Sequence, residues 1–343
     1  MLCLCLSLRV QAHPLGVYSN QQPEGFYSST GDKQWQALFL PPRGVHDFRR
    51  TPTGQVLYQD SHFDWYALDL KSRKTQLLAK DKIFAPGFIE VLPVQRSDGS
   101  YYAKRILPYG LEIYRLKDQK ATPFLKKSGL YGFQPLPDGS YVYVLWSGRG
   151  QESPDFVDFI PGQTMQLWHK PLSGNARLLG KFDTVLGLQV AARSHVLFFT
   201  PGKKQGKRSW RLMAIDVPQQ KLRALAEIPQ SDSRGYPDLL AWPQSDWIAY
   251  PEVMVPHAVD HMPQAFMRQH VPSATRHALG TLSALAKKKG QGTPGHITSV
   301  VYGPEGSAEH TLVSHSLETG EIVDRHPYLW RELSPEYAMY LYP

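Results

Sequence analysis

A Pro-Asp-Gly-Ser turn followed by an alternating strand is the feature that most limits how this chain can fold. The turn runs from Pro137 to Ser140, and the strand after it, Tyr141 to Trp146, reads Tyr-Val-Tyr-Val-Leu-Trp. Proline presets φ for the turn, and Asp-Gly supplies the positive φ that a tight hairpin requires. Alternating β-branched and aromatic residues are typical of a strand. This stretch therefore predicts an antiparallel hairpin.

The same unit recurs along the chain at intervals of about 40 to 50 residues. Five units begin with a glycine and an apolar residue, and the glycines are Gly44, Gly87, Gly132, Gly187 and Gly235. A hairpin turn and an apolar run follow each start, and a second hairpin closes each unit. Four short strands per unit at this period are the signature of a β-propeller. We predict an all-β protein with six four-stranded blades, and five or seven blades remain open alternatives.

The propeller is predicted to be a single domain over residues 13–343. Its sixth blade is incomplete, because only two predicted strands lie between Leu329 and Pro343. A ring must close, and the N-terminal segment near residues 35–40 has the apolar character of a strand. We therefore expect this N-terminal strand to complete the last blade.

The fifth unit carries an insertion over residues 251–309, and its composition favours a helix at 273–289. Pro272 suits the start of a helix and Gly290 suits a C-terminal cap. Apolar residues between these two positions recur at helical spacing. We predict a small, partly helical insertion in the fifth blade.

The repeated unit resembles the TolB-type repeat of the WD-like propellers. The resemblance rests on the Asp-Gly-Ser turn with the strand after it, and on a strand that ends in Asp-Leu before a turn, at Ala67 to Leu70. It covers the chain from about residue 43 onward and implies the fold without implying a function. The fourth and fifth units depart from it, with Arg193-Ser194 and Gln244-Ser245 in place of Asp-Gly.

The N-terminal segment is apolar and ends in a small-residue pattern at Val10 to Ala12, which is typical of a cleavage site. Residues 1–12 are therefore predicted to be a truncated signal peptide, and the protein to be secreted or periplasmic, with a cytoplasmic location as the alternative. Cys3 and Cys5 both fall in this segment, so no disulfide is expected in a mature chain. The sequence contains no apolar run of about 20 residues that could span a membrane.

The formal net charge is +8, which permits an anionic partner. No nucleic-acid-binding motif accompanies this charge, so no specific nucleic-acid partner is predicted. Basic residues of the fourth unit could bind phosphate or carboxylate groups of a partner: Lys203, Lys204, Lys207 and Arg208. Basic residues of the insertion, together with its predicted helix, could associate with anionic lipid: Lys287, Lys288 and Lys289.

The functional face is expected where the second and third strands of each blade are joined, because the long loops fall there. The segments that lead into each blade open at the same face. Their ring-bearing residues could rim a central funnel that holds a sugar or a peptide, or could pack between blades: His46, Phe48, Phe88, Tyr131, Phe133, Tyr236 and Trp330. His257 and His261 have a spacing that zinc ligands can have, but no metal site or cofactor is predicted.

The sequence carries no nucleophile elbow, phosphate-binding loop or dinucleotide fingerprint. The favoured hypothesis is a non-enzymatic extracytoplasmic propeller that binds a protein partner or an anionic envelope polymer through loops on one face. The alternative is an enzyme with its site in the funnel, a hydrolase or lyase that acts on a sugar, a lactone or a peptide. Its candidate acid–base groups are His46, Asp47, His62, Asp64, Glu152, Asp155 and His257.

Overall fold

The computed structural model describes most of the chain between residues 15 and 329. The described ranges are 15–18, 25–29, 35–51, 54–80, 88–107, 110–146, 164–204, 206–230, 237–253, 264–282, 294–302 and 309–329. Every regular element within these ranges is a β-strand. No helix in this part of the chain has the length and apolar character that crossing a membrane requires.

Six antiparallel sheets follow one another between residues 47 and 329, and they are the blades of a β-propeller. Blades 1 to 4 each have four strands. Blade 1 comprises β4 (Asp47–Arg50), β5 (Val56–Gln59), β6 (Trp65–Asp69) and β7 (Lys74–Ala79), and blade 2 comprises β8 (Phe88–Gln95), β9 (Tyr101–Leu107), β10 (Gly110–Lys117) and β11 (Lys120–Lys126). Blade 3 comprises β12 (Leu130–Pro135), β13 (Tyr141–Trp146), β14 (Met165–Lys170) and β15 (Arg177–Phe182). Blade 4 comprises β16 (Leu186–Ala191), β17 (His195–Lys204), β18 (Lys207–Asp216) and β19 (Lys221–Pro229).

Blades 5 and 6 each have three described strands. They comprise β20 (Trp247–Pro251), β21 (Gln264–His270) and β22 (Arg276–Leu282), and then β23 (His296–Tyr302), β24 (Glu309–Ser316) and β25 (Ile322–Leu329). In blade 5 the isolated bridge between Leu240 and Ala249 adds a short segment beside β20.

An N-terminal sheet precedes the six blades. It consists of β1 (Leu15–Tyr18), β2 (Gly25–Ser29) and β3 (Trp35–Phe39). Phe26 of this sheet packs against Phe48 and Tyr58 of blade 1, with ring centroids 5.7 and 5.6 Å apart. A strand is therefore present at the predicted position near residues 35–40, and it pairs with β2. Its expected partners at residues 330–343 lie outside the described residues, as does the predicted signal peptide.

The Asp-Gly-Ser turns form as the sequence predicts. In blade 3 the Leu136 N–H donates to the Ser140 carbonyl at 2.9 Å, and the Gly139 N–H donates to the Leu136 carbonyl at 3.0 Å. The Ser140 hydroxyl donates to Asp138 Oδ1 at 2.6 Å. Blade 2 repeats this turn at Arg96 to Ser100. Local turn chemistry thus sets the register of the first hairpin in these blades.

A separate apolar core joins each pair of neighbouring sheets. Between blades 1 and 2, Leu57 and Trp65 pack with Val91 and Tyr101, and all four side chains are buried. Equivalent clusters join the remaining neighbours along the chain up to blades 5 and 6. The core of the protein is therefore a series of inter-blade interfaces, as expected for sheets that pack face to face in a propeller.

The predicted helix at 273–289 is wrong, because strand β22 occupies Arg276–Leu282. The pairing of β22 with β21 shifts register between Phe266 and Met267, which leaves Leu279 as the extra residue of a β-bulge. The bulge allows Leu279 and Leu282, three residues apart, to face the same core. This spacing imitates the periodicity of a helix. The predicted insertion at 251–309 therefore contains strands of blades 5 and 6, and the predicted fifth unit is two blades.

Candidate functional site

The two ends of the propeller differ in the connections that they carry. The first and second hairpins of each blade turn at one end, which we call the turn end. The second strand joins the third at the other, which we call the loop end. In blade 1 the segment leading into β4 meets the β5–β6 connection there: the His46 N–H donates to the Gln59 carbonyl at 2.7 Å, and the Ser61 N–H donates to the Arg43 carbonyl at 3.2 Å. These two kinds of connection therefore share the loop end of blade 1, as expected.

The β5–β6 connection is a tight turn that places Phe63 in solvent. The Asp60 N–H donates to the Asp64 carbonyl at 3.0 Å, and the Phe63 N–H donates to the Asp60 carbonyl at 2.9 Å. The buried Asp60 carboxylate holds the turn through Oδ1, which accepts from the N–H groups of His62 and Asp64 at 2.9 and 3.0 Å. Phe63 has a φ of 62° and is 43% exposed. The turn thus holds a large aromatic side chain in the left-handed region.

Turns with the same pair of backbone hydrogen bonds occur at the turn end, and they carry glycine at this position. These glycines are Gly54, Gly99 and Gly139, and each has a positive φ. A side chain in the left-handed region costs about 1–2 kcal/mol. The other described non-glycine residues with positive φ are not aromatic: Arg73, Asp118, Gln119, Ala192, Arg193, Gln220 and Ala274. Phe63 is therefore the position where a bulky ring replaces the residue that the turn favours.

An imidazole contacts the Phe63 ring, and an arginine pairs with the two aspartates of the same turn. The His46 ring lies 4.9 Å from it, centroid to centroid, at an interplanar angle of 75°. The Arg43 guanidinium is about half exposed and lies 3.7 Å from the Asp60 carboxylate and 3.6 Å from the Asp64 carboxylate. His46 was predicted from the sequence, whereas Phe63 and Arg43 were not. The sequence signal that could have identified Phe63 is the presence of an aromatic residue in the short β5–β6 turn.

Two tyrosines form the floor beneath this turn. Tyr58 and Tyr66 stack with ring centroids 5.1 Å apart. Burial, and then the neighbouring Tyr66 and Asp60, raise the pKa of Tyr58 above its ordinary value. Burial, Asp60 and Asp64 likewise raise the pKa of Tyr66. Both phenols therefore remain neutral at physiological pH and serve as a rigid support for the turn.

The second feature of the loop end is a long hairpin in blade 4. A long loop is expected between the second and third strands, but in this blade β17 and β18 remain paired as far as Lys204 and Lys207. Each strand has ten residues, and the pairing keeps a single register without a bulge from His195 and Asp216 to the tip. The basic segment is thus the tip of a rigid ribbon.

The register of this hairpin places like charges opposite one another. Lys203 pairs with Arg208, and Lys204 pairs with Lys207. Lys203, Lys207 and Arg208 are exposed, and no acidic side chain within the described residues forms an ion pair with them. Glu227, on the neighbouring strand β19, instead accepts a hydrogen bond from Ser209 at 2.6 Å. Directly opposed like charges destabilise a ribbon, so this tip is built as a cationic surface.

The remaining sequence candidates fall into the core or outside the described residues. Phe48 and Phe133 are buried in inter-blade clusters, and Tyr131 is half-buried against another. Phe88 is the first residue of β8. Candidates outside the described residues are Tyr236, Trp330, Lys287, Lys288, Lys289, His257 and His261. In the part of the chain that is described, no group of three or more metal-ligating side chains comes together.

A Ser-His-Asp arrangement in blade 3 has a geometry that indicates a structural rather than a catalytic role. Arg177 Nε donates to His169 Nδ1 at 3.2 Å, so the proton of the neutral imidazole lies on Nε2, which faces Ser140 Oγ at 3.1 Å. The Ser140 hydroxyl in turn donates to Asp138. Burial, followed by Arg177, lowers the pKa of His169. The imidazole is therefore a donor toward the serine rather than a base, and the chain of hydrogen bonds locks the turn.

Charged side chains on strands β4, β8 and β9 form an ion network between blades 1 and 2. Arg49 lies 3.3 Å from Glu90, and Lys104 lies 3.6 Å from the same carboxylate. Burial alone would raise the pKa of Glu90, but Lys104 and Arg49 outweigh it and the pKa is lowered. Glu90 is therefore held ionised, which does not suit the role of a general acid.

Comparisons with known proteins identify the fold. No known protein family matches the sequence, and no curated protein matches it closely. Among solved structures, an oligogalacturonate lyase in complex with manganese is 13% identical with a TM-score of 0.52, over 90% of this chain and 83% of that one. The oligogalacturonate lyase from Vibrio parahaemolyticus is 10% identical with a TM-score of 0.50, over 92% of this chain and 84% of that one.

TolB proteins are also among the structures that share the fold. TolB from Acinetobacter baumannii is 14% identical with a TM-score of 0.45, over 77% of this chain. The chain spans 62% of the length of that protein. At identities this low, structural similarity shows the fold alone, so the function has to be argued from the residues of this chain. The six antiparallel blades themselves confirm the propeller fold that the TolB-type resemblance implies.

Proposed function

We propose that this protein is a non-enzymatic, extracytoplasmic propeller that binds an anionic partner through its loop end. The observation that carries the proposal is the tip of the β17–β18 hairpin, where Lys203 faces Arg208 and Lys204 faces Lys207. Opposed like charges lower the stability of a ribbon. A polyanion bound along the tip would neutralise the repulsion between these like charges, so binding would stabilise the ribbon.

The construction of the hairpin supports a role in contact. The ribbon is ten residues long on each strand, whereas the second strand of blade 1 has only four residues. Its partner strand β19 pairs as far as Ser209, and the Gln230 N–H donates to the Arg208 carbonyl at 3.1 Å, so a third strand supports the ribbon up to its tip. A charged tip on a rigid support binds an anion with less loss of conformational entropy than a flexible loop would.

The extracytoplasmic location is proposed from the N-terminal sequence. Residues 1–12 have the apolar run and the small-residue site of a secretory signal, and both cysteines lie within it. Outside the cytoplasm, acidic polymers and acidic proteins of the cell envelope are available as partners for a chain of net charge +8.

The proposal is tested by reversing the charge of the tip. The variant combines Lys203→Glu, Lys207→Glu and Arg208→Glu. The ligands are a fluorescent mannuronic acid hexamer and a fluorescent hexaglutamate, titrated at low ionic strength. Three surface ion contacts of about 0.5 kcal/mol each predict a Kd about tenfold higher for the variant. The difference should shrink as salt is added, because exposed charges are screened.

A matched control carries the same change in net charge at the turn end. It combines Lys71→Glu, Arg73→Glu and Lys74→Glu, three exposed residues at the β6–β7 turn. This control should bind both ligands as the unmodified protein does. Equal weakening in the two triple variants would show that only the net charge matters, and would refute a specific role for the hairpin.

A further inference from the structure

The geometry points to a saccharide subsite at the loop end of blade 1: we propose that Phe63, whose ring contacts His46 and whose turn is paired with Arg43, stacks on a pyranose ring. The anionic partner is then an acidic polysaccharide rather than an acidic protein. This inference rests on the proposed function for the charge of the partner. The subsite itself is argued from blade 1 alone.

The first step is the unfavourable backbone of Phe63. Its turn has the hydrogen bonds of the turns that carry Gly54, Gly99 and Gly139. Glycine at this position would relieve the strain and remove an exposed apolar ring. Strain of this kind persists where it serves a site. The sequence therefore places a ring in solvent where the fold does not require one.

The second step is the accessibility of the ring. The Phe63 side chain is 43% exposed, and its ring meets His46 at 75°. In an edge-to-face pair, at least one face of the phenylalanine is not covered by the imidazole. The carboxylate of Asp60 fixes the turn through two backbone N–H groups, so the ring is presented by a rigid element. A rigid, partly open aromatic face is suited to stacking.

The third step is the chemistry around the ring, which fits a sugar. A pyranose has an apolar C–H face and hydroxyl groups around its edge. Phe63 offers the apolar face and the exposed His46 imidazole lies against its ring, while the half-exposed Arg43 guanidinium pairs with the carboxylates of Asp60 and Asp64 in the same turn. These groups can donate to and accept from hydroxyls. An apolar peptide side chain offers these groups no hydrogen bond, whereas the hydroxyls of a sugar do.

The test replaces Phe63 by the residue that its turn favours. Phe63→Gly relieves the left-handed strain, so its unfolding temperature should be unchanged or higher. Its Kd for the mannuronic acid hexamer should rise about tenfold, and its Kd for hexaglutamate should not change. Gln220→Gly is the matched control, because Gln220 also has a positive φ, of 53°, and is exposed at the turn end. Phe63→Trp should retain the binding of the saccharide.

A neutral saccharide separates this inference from the proposed function. Cellohexaose carries no charge, so its weak binding should depend on Phe63 and not on the hairpin charges. If charge reversal of the hairpin has no effect while Phe63→Gly still weakens both saccharides, the proposed hairpin contact fails and the subsite stands. Unchanged saccharide binding in Phe63→Gly would overturn the subsite. So would an equal loss for hexaglutamate, or the same loss in Gln220→Gly.

Discussion

The packing of Phe133 allows a prediction about which aromatic residues support the ring and which contact a ligand. Phe133 was a candidate for the funnel rim, and the structure places it at 2% exposure between blades 2 and 3. Its ring lies edge-to-face with Tyr102 at 5.2 Å and with Phe124 at 6.2 Å. It also contacts Tyr141 at 5.3 Å. We predict that Phe133→Ala destabilises the protein without altering the affinity of the folded fraction for ligand.

The magnitude follows from what the substitution removes. Burial of a phenylalanine side chain contributes about 1.5–3 kcal/mol, and the cavity left among rigid rings raises the total to about 3–5 kcal/mol. Phe133→Leu keeps much of the apolar burial and loses the edge-to-face geometry, so it should cost about 1–2 kcal/mol, since aromatic pairs contribute about 0.5–1.5 kcal/mol each.

Equilibrium unfolding in urea, followed by tryptophan fluorescence, measures these differences. Titration of the folded variants with the mannuronic acid hexamer then measures binding. Lys71→Ala serves as the reference, because Lys71 is exposed at the turn end and such a position should change stability by less than about 0.5 kcal/mol. The reasoning is refuted if Phe133→Ala changes stability by less than about 1 kcal/mol, or if it weakens binding while the fold stays intact.

Two further predictions concern acid sensitivity and a crowded glycine. Burial lowers the pKa of His169, so below about pH 6.5 the unfolded chain binds more protons than the folded one, and the stability present above that pH is lost on acidification. Unfolding measured from pH 7.5 to 5 should therefore show a smaller loss of stability in His169→Gln than in the unmodified protein. His277→Gln changes an exposed residue and should show the same loss as the unmodified protein. A Cβ at Gly129 would overlap the Trp146 carbonyl oxygen, whereas nothing lies within 4 Å of a Cβ at Gly99; Gly99→Ala should cost about 1 kcal/mol in urea unfolding and Gly129→Ala about 1–3 kcal/mol more, and equal values would contradict the overlap.

The fold was predictable where single turns decide it. The Asp-Gly-Ser turns at Asp98 and Asp138 fix their hairpins through bonds among neighbouring residues, so the sequence alone specifies them. The division of residues 235–328 into two blades was not predictable in this way. A β-bulge at Leu279 gives a strand the spacing of a helix, and only the pairing partner in β21 distinguishes the two. Periodicity fails where pairing between strands overrides it.

The candidate site was predictable in its charges and not in its geometry. Lys203 and Arg208 are evident as basic residues in the sequence. Pro201 and Gly202, which directly precede Lys203, are residues that argue against a continuous strand at this point. The opposition of like charges depends on register, which the sequence does not display. The same applies to Phe63, whose left-handed φ and exposure depend on a turn closed by Asp60.

The Phe63 turn and the β17–β18 tip both lower local stability. Phe63 stands where its turn favours glycine, and Lys203 stands opposite Arg208 in a ribbon. The other described non-glycine residues with a positive φ lie in hairpin turns at the turn end, and none of them is aromatic. Natural sequences are otherwise locally consistent with their fold, so a bulky ring in the left-handed region and a self-repelling tip indicate selection for something other than folding. A single strained residue would be weak support for a binding surface. A strained aromatic ring and a self-repelling cationic tip on the same end of one rigid ring act on different parts of a ligand, one on an apolar ring face and one on its charge. A polymer of acidic sugars combines both in a single molecule, and it is therefore the partner that would offset both costs at once.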